Sequence, residues 1–322
     1  MLAVGGTGRR PLGKTGVAVS ERGFGAWAIG GASFGAVPAG QALDALARAE
    51  ALGCNFVDTA AVYGESEALL GRFLPGRRDR WIVASKYSGQ PQGLTALVHE
   101  QLRRLNTDRI DFYQLHWAPR GKDEALFDEL DALKRAGKLR FVGVSLRSAG
   151  DIDHVLARPG IDGLQICVSL LDPDPLLARL ALLRARGVGV IARSVLKGGF
   201  LTGKYDAAAR FTDPADQRRG WEPARIRMLA QQARAFDFLA ASAGSLHAAA
   251  IAYPMSFPEV STVILSCKSV EQVEANLGGA QPATLAPALL ERIAQVQRQL
   301  GVSPASSGLR LWRRLKARIG LA

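Results

Sequence analysis

One unit recurs along this chain and restricts its fold more than any other feature. An amphipathic helix ends at a glycine, and a short apolar strand follows at once: GQALDALARAEALG then CNFVDTA, KDEALFDELDALKRAG then KLRFVGVS, PLLARLALLRARG then VGVIARS. Gly53, Gly137 and Gly187 suit the left-handed backbone that closes a helix. In the middle unit Leu126, Leu130 and Leu133 share a face, while Lys122, Glu129 and Lys134 face water. The strands are apolar without strict alternation, as in WIVASK (81–86) and STVILSCK (261–268), which is the habit of parallel strands covered by helices. Strands are expected near 23–27, 55–60, 81–86, 110–117, 139–145, 163–169, 188–195 and 261–268. Eight alternations in a chain of 322 residues predict an α/β fold of the (β/α)8 TIM-barrel type over residues 1–302. An open doubly wound sheet is the other arrangement the pattern allows.

Composition narrows the setting. With 48% hydrophobic and 22% charged residues the chain reads as an ordinary globular protein. No run of 18 apolar residues appears, and MLAVGGTGRRPLG lacks the form of a signal peptide, so a cytoplasmic location is expected. Cys54, Cys167 and Cys267 are widely spaced and read as small buried hydrophobes in a reducing compartment. Four scattered histidines make no metal site, and His99, His154 and His247 read as surface or structural residues.

The net charge is +12, and five of the basic residues lie in LRLWRRLKARIGLA (309–322). Residues 303–322 read as a basic amphipathic tail, with Leu311, Trp312, Leu315 and Ile319 near one helical face. That pattern is compatible with a weak membrane-surface contact. Nothing marks a specific nucleic-acid fold, since bulk charge supports only non-specific attraction.

The strands end in polar residues: Asp58, Lys86, His116, Ser145, Gln165, Arg193 and Lys268. In a (β/α)8 barrel such ends converge on the face that carries chemistry. Two nucleotide-binding devices are excluded there. GGFLTGKY (198–205) has the spacing of a phosphate loop, but Tyr205 replaces the hydroxyl that would bind magnesium. GGTG (5–8) follows no strand and opens no helix.

Asp58, Tyr63, Lys86 and His116 follow the second, third and fourth expected strands and can meet in one pocket. A phenol of ordinary pKa, about 10, is a poor acid at neutral pH. An adjacent ammonium favours its ionised form, a carboxylate can hold that ammonium, and an imidazole can orient a carbonyl oxygen. Together they form a proton donor for an oxygen that becomes an alkoxide. Trp27 and Trp117 lie near strand ends, where they line a substrate pocket or simply pack.

DTAAVYG (58–64), Lys86 in IVASK, His116 in YQLHW and, further on, GVS (143–145), LQ (164–165), LKGGFLTGKY (196–205) and CKSVEQVEANL (267–277) together resemble the aldo-keto reductase family over roughly residues 9–300. The resemblance implies an oxidoreductase that reduces an aldehyde or ketone, such as a sugar or biosynthetic intermediate, with a nicotinamide cofactor, usually NADPH (NADP when oxidised). It implies that Tyr63 is the general acid, that Lys86 lowers its pKa, that Asp58 pairs with Lys86 and that His116 directs the carbonyl. It assigns the nicotinamide carboxamide to Ser145 and Gln165, and further cofactor contacts to Arg193, Ser194, Gln272 and Asn276. Lys268 and Ser269, at the start of the helix SVEQVEANL, are expected to take the 2′-phosphate. A nicotinamide-binding redox sensor on the same barrel is the competing function. The sequence departs from the family pattern in four places. Leu146 stands where an Asn usually follows the Ser of GVS, Arg193 where an aromatic residue often stacks, Leu265-Ser266 where Pro-Gly is usual, and Ala275 where an acid often precedes the Asn.

Overall fold

The computed structural model of the protein describes residues 7–31, 33–146, 148–278 and 283–303. The chain opens with an antiparallel hairpin of β1 (Arg9–Pro11) and β2 (Ala18–Ser20). Eight strands follow: β3 (Arg22–Gly25), β4 (Phe56–Asp58), β5 (Ile82–Tyr87), β6 (Ile110–Leu115), β7 (Leu139–Ser145), β8 (Gly163–Cys167), β9 (Gly189–Arg193) and β10 (Val260–Ser266). They pair in parallel in chain order, and β10 closes on β3 to complete the barrel. The closed barrel, with its surrounding helices, is the expected (β/α)8 fold, and all eight expected strands are present. The hairpin was not foreseen, because its strands are only three residues long.

Helices cover the outside for the reason their spacing gives. Ala39–Ala51 buries Ala42, Ala45, Leu46 and Ala49, one stripe of a 3.6-residue period. In Ala125–Arg135 the buried stripe is Phe127, Leu130 and Leu133, so Phe127 takes the place expected for Leu126, which is only half-buried. Gly187 ends its helix with φ +62°, and Gly53 and Gly137 likewise adopt positive φ.

Inside the barrel, residues alternate between the helix side and the axis. On β5 the Ser85 hydroxyl turns outward to Glu67 at 2.9 Å, while Lys86 turns inward to Asp58. The axis is filled in two storeys. Nearest the hairpin lie Phe56, Ala84, Phe112 and Ile191, sealed from below by Leu12 and Val19. A Cβ on Gly143 would lie 2.3 Å from the Phe112 ring, and one on Gly163 3.0 Å, so the two glycines leave the room that ring occupies. Above them, at the C-terminal strand ends, the inward residues become Asp58, Lys86, Gln114, Ser145 and Gln165, each 4% exposed or less. Arg10 ties the hairpin to the barrel floor, donating to the carbonyls of Met255 (2.7 Å), Val260 and Phe257. The expected tail, residues 303–322, lies outside the described residues except for Ser303.

Candidate active site

The upper storey is a connected polar network. Strand register sets it up: Asp58 lies beside Ala84, Lys86 beside Gln114, and Ser145 beside Gln165. Lys86 Nζ donates to Asp58 Oδ2 at 2.6 Å and to the Thr59 carbonyl at 2.9 Å. Asp58 Oδ1 accepts from Gln165 Nε2 at 2.7 Å and from Gln114 Nε2 at 3.3 Å. Ser145 Oγ in turn donates to Gln165 Oε1 at 3.0 Å. A buried ion pair is tolerated only where its remaining valences are met, and this one is met on both sides.

Tyr63 comes from the loop after β4. Gly30 and Gly64 let that loop close on the 3-10 turn Ala26–Gly30: a Cβ on Gly30 would meet the Tyr63 carbonyl at 1.8 Å, and Gly64 holds φ +56° against the Gly30 carbonyl. The phenol ring is thereby brought to 4.8 Å from Lys86 Nζ and 5.9 Å from the Trp27 ring. Burial pushes the Tyr63 phenol above its ordinary pKa; the charge of Lys86 is the first of the influences that pull it back, and Arg193 adds to the pull. The net direction is therefore upward, where the resemblance implied lowering, because desolvation outweighs the ammonium. For Lys86, burial favours the neutral form, but the charges of Asp58 and Tyr63 reverse this and hold it protonated.

His116 follows β6 directly. Its main-chain N–H donates to the Tyr87 carbonyl at 2.9 Å, and its Nδ1 is 2.9 Å from Ser88 Oγ. Asp58, Tyr63 and His116 line one cavity of about 1010 Å³ at the barrel mouth, with Lys86 directly behind.

Trp27, Gln165, Arg193, Ser194, Lys268, Gln272 and Asn276 line the same cavity. Ser145 lies behind Gln165. Of the two roles open to Trp117 the structure shows packing: it is not among the lining residues, its indole N–H is taken by Asp123 at 2.9 Å and its ring packs on Tyr87. Ser269 caps the helix Val270–Leu277, its Oγ accepting from the Gln272 N–H, while Gln272 Oε1 accepts from the Lys268 N–H. Lys268 Nζ donates to the Phe34 carbonyl at 2.5 Å. Asn276 Oδ1 accepts from His247 Nε2 across 2.8 Å, and its Nδ2 donates to the Ser266 carbonyl. Two departures from the family pattern touch each other: Arg193 Nη2 donates to the Leu146 carbonyl at 2.8 Å.

The long connection after β9 supplies much of the cavity wall. Its core is aromatic: Phe200, Tyr205, Phe211 and Trp221 cluster around Arg218, which pairs with Asp216 at 2.6 Å. It is pinned to the loop after β3, where Phe34 bridges Asp216 and the Gln217 N–H donates to the Ser33 carbonyl.

Sequence reasoning missed Gln114, Ser88, Cys167 and His247. Gln114 and Cys167 lie two residues from His116 and Gln165, and Ser88 two from Lys86, so the period of a strand was the available signal. Cys167 is half-buried and lines the cavity, unlike Cys54 and Cys267, whose thiols burial pushes up to about 11 and about 12. His247 also lines the cavity, and burial lowers its pKa.

Comparison with known proteins agrees with this geometry. The Aldo/keto reductase family profile matches residues 23–298. L-galactose dehydrogenase of Arabidopsis thaliana is 32% identical over 288 residues, covering 83% of this chain and 86% of that protein. Protein tas of Escherichia coli is 30% identical, covering 71% and 81%. Among solved structures, a holo-form aldo-keto reductase from Bacillus halodurans superposes with a TM-score of 0.72 at 27% identity, covering 90% of this chain and 96% of that one. With 276 matched residues running from the first barrel strand into the helix Pro287–Gln299, this chain belongs to the aldo/keto reductase family of oxidoreductases.

Proposed function

We propose that the protein reduces an aldehyde or ketone to an alcohol with NADPH, Tyr63 acting as the general acid. The observation that carries this reading is the contact of the Tyr63 ring with an ammonium, Lys86, that is fully buried and paired with Asp58. A reduced nicotinamide bound in the cavity supplies the hydride. Tyr63 gives its proton to the oxygen that becomes an alkoxide, and Lys86 compensates the negative charge left on the phenol. Asp58 holds Lys86 in place, and His116 hydrogen-bonds the carbonyl oxygen.

The cavity suits a polyanionic dinucleotide. Its wall carries Arg193, Lys204, Arg218, Arg225 and Lys268, and the sole carboxylate among the described lining residues is Asp58, already held by Lys86. Arg193 Nε is buried without a hydrogen-bond partner among the described residues. Gln165 and Ser145 would hold the carboxamide, and Ser194, Gln272 and Asn276 would meet the rest of the cofactor. Lys268 is the cation assigned to the 2′-phosphate; Ser269, spent on its helix cap, would contribute through that helix's first amides. A relative named for L-galactose supports a sugar-sized carbonyl compound as substrate.

Following NADPH consumption across a panel of aldehydes, ketones and open-chain sugars tests this directly. Turnover of at least one class is expected, and tight NADPH binding without turnover on any would overturn it in favour of a sensor. Lys268→Ala is expected to weaken NADPH binding roughly tenfold to a hundredfold, the worth of one charge-assisted contact, with NADH nearly unaffected. Equal weakening of both would remove Lys268 from phosphate recognition.

A further inference from the structure

We infer that Ser88 is a positioning residue that sets the tautomer of His116, and so makes the imidazole a donor toward the substrate oxygen. The inference rests on the carbonyl-reducing reading above and adds to it a residue outside the four-residue set. Its basis is the register of two neighbouring strands. Lys86 pairs with Gln114 and Tyr87 with Leu115, so one further step brings Ser88 opposite His116 just beyond the strand ends. The Tyr87 carbonyl accepts from the His116 N–H at 2.9 Å, continuing the ladder, and Ser88 Oγ then stands 2.9 Å from His116 Nδ1. Ser88 is itself held by its own N–H, which donates to Gln90 Oε1 at 2.9 Å.

A neutral imidazole carries one proton on two nitrogens, and the partner of one nitrogen decides the role of the other. If Nδ1 donated to Ser88, Nε2 would present a lone pair to a carbonyl oxygen and repel it. If Ser88 donates its hydroxyl proton to Nδ1, Nε2 carries the hydrogen and can bond that oxygen. The second arrangement gives the Ser88 hydroxyl an acceptor, and it has no other among its described hydrogen bonds. Main-chain pairing places the ring; the hydroxyl chooses its proton.

The test is nitrogen-15 NMR of the full-length protein with labelled histidine, recorded near pH 8 with and without NADPH. The protein has four histidines, and the His116 signals are identified by their loss in His116→Gln. The Nε2–H tautomer is expected to dominate in the wild type. In Ser88→Ala the Nδ1–H form is expected to appear in comparable amount, and Ser88→Thr should restore the wild-type spectrum. Carbonyl reduction by Ser88→Ala should fall about tenfold in kcat/KM, the worth of one neutral hydrogen bond, with Ser88→Thr recovering it. A purely structural role would slow Ser88→Ala without moving the tautomer. That result, or a wild-type Nδ1–H form, overturns the inference. The spectra need no turnover, so they are read independently of whether the protein reduces carbonyls.

Discussion

Three strands, β4, β5 and β6, contribute to both storeys of the barrel interior two residues apart (Phe56 and Asp58, Ala84 and Lys86, Phe112 and Gln114), and the storeys do opposite things. The lower storey (Phe56, Ala84, Phe112, Ile191) is dry and apolar, and its contribution is burial, about 25 cal/mol for each Å² removed from water. The upper storey (Asp58, Lys86, Gln114, Ser145, Gln165) is equally buried but polar, and burial there is a cost offset only by hydrogen bonds and charge pairing. The lower storey specifies the closed barrel. The upper storey keeps an ammonium charged at the edge of a cavity, where it acts on the Tyr63 phenol. Within one strand the change from Ala84 to Lys86 is the boundary between stability and chemistry.

The comparison breaks most visibly at Lys86. Lys86→Met is expected to lower carbonyl reduction at least a hundredfold, since the phenol loses its neighbouring charge. It should also cost about 3–5 kcal/mol of stability, because Asp58 is left without its counter-ion. Adding Asp58→Asn should recover much of the stability in urea unfolding and none of the turnover. Phe112→Ala, one storey down, is expected to cost about 3–5 kcal/mol through cavity formation while leaving kcat of the folded enzyme close to wild type. If Phe112→Ala abolished kcat in protein still folded by circular dichroism, the two storeys would not be separable.

A smaller effect is expected with pH. Tyr63 and Lys86 both have folded pKa values raised above their ordinary ones, so their contribution to stability is full below the unfolded values, about 10 for each. It is lost as pH rises through the folded values. On the proposed mechanism reduction requires protonated Tyr63, so kcat/KM for reduction should decline only above about pH 10. Alcohol oxidation, which needs the phenolate, should rise over the same range. A decline of reduction between pH 7 and 9 that vanished in Tyr63→Phe would contradict a phenol whose pKa burial raises.

The fold was legible because helices such as Ala39–Ala51 and Ala125–Arg135 carry their own stripe and the strands their own apolar runs, so that even the polar strand ends fall on one face. Asp58, Tyr63 and Lys86 could be brought together from chain order alone, since β4 and β5 are neighbours. The hairpin escaped notice because three-residue strands carry no readable period; it is defined by what it covers. Trp117 could not be divided in advance between pocket and packing, because its orientation depends on Asp123, six residues on. Ser269 could not be divided in advance between capping its helix and meeting a ligand, because the same hydroxyl serves either. The strand period could point to Ser88, but its place opposite His116 needs the β5–β6 register.

The central claim is that Tyr63 delivers the proton. Single-turnover reduction of an accepted aldehyde by NADPH-saturated Tyr63→Phe measures it most directly, with NADPH affinity titrated on the same sample. The account predicts a rate at least about a hundredfold below wild type with affinity unchanged. A wild-type rate would contradict it.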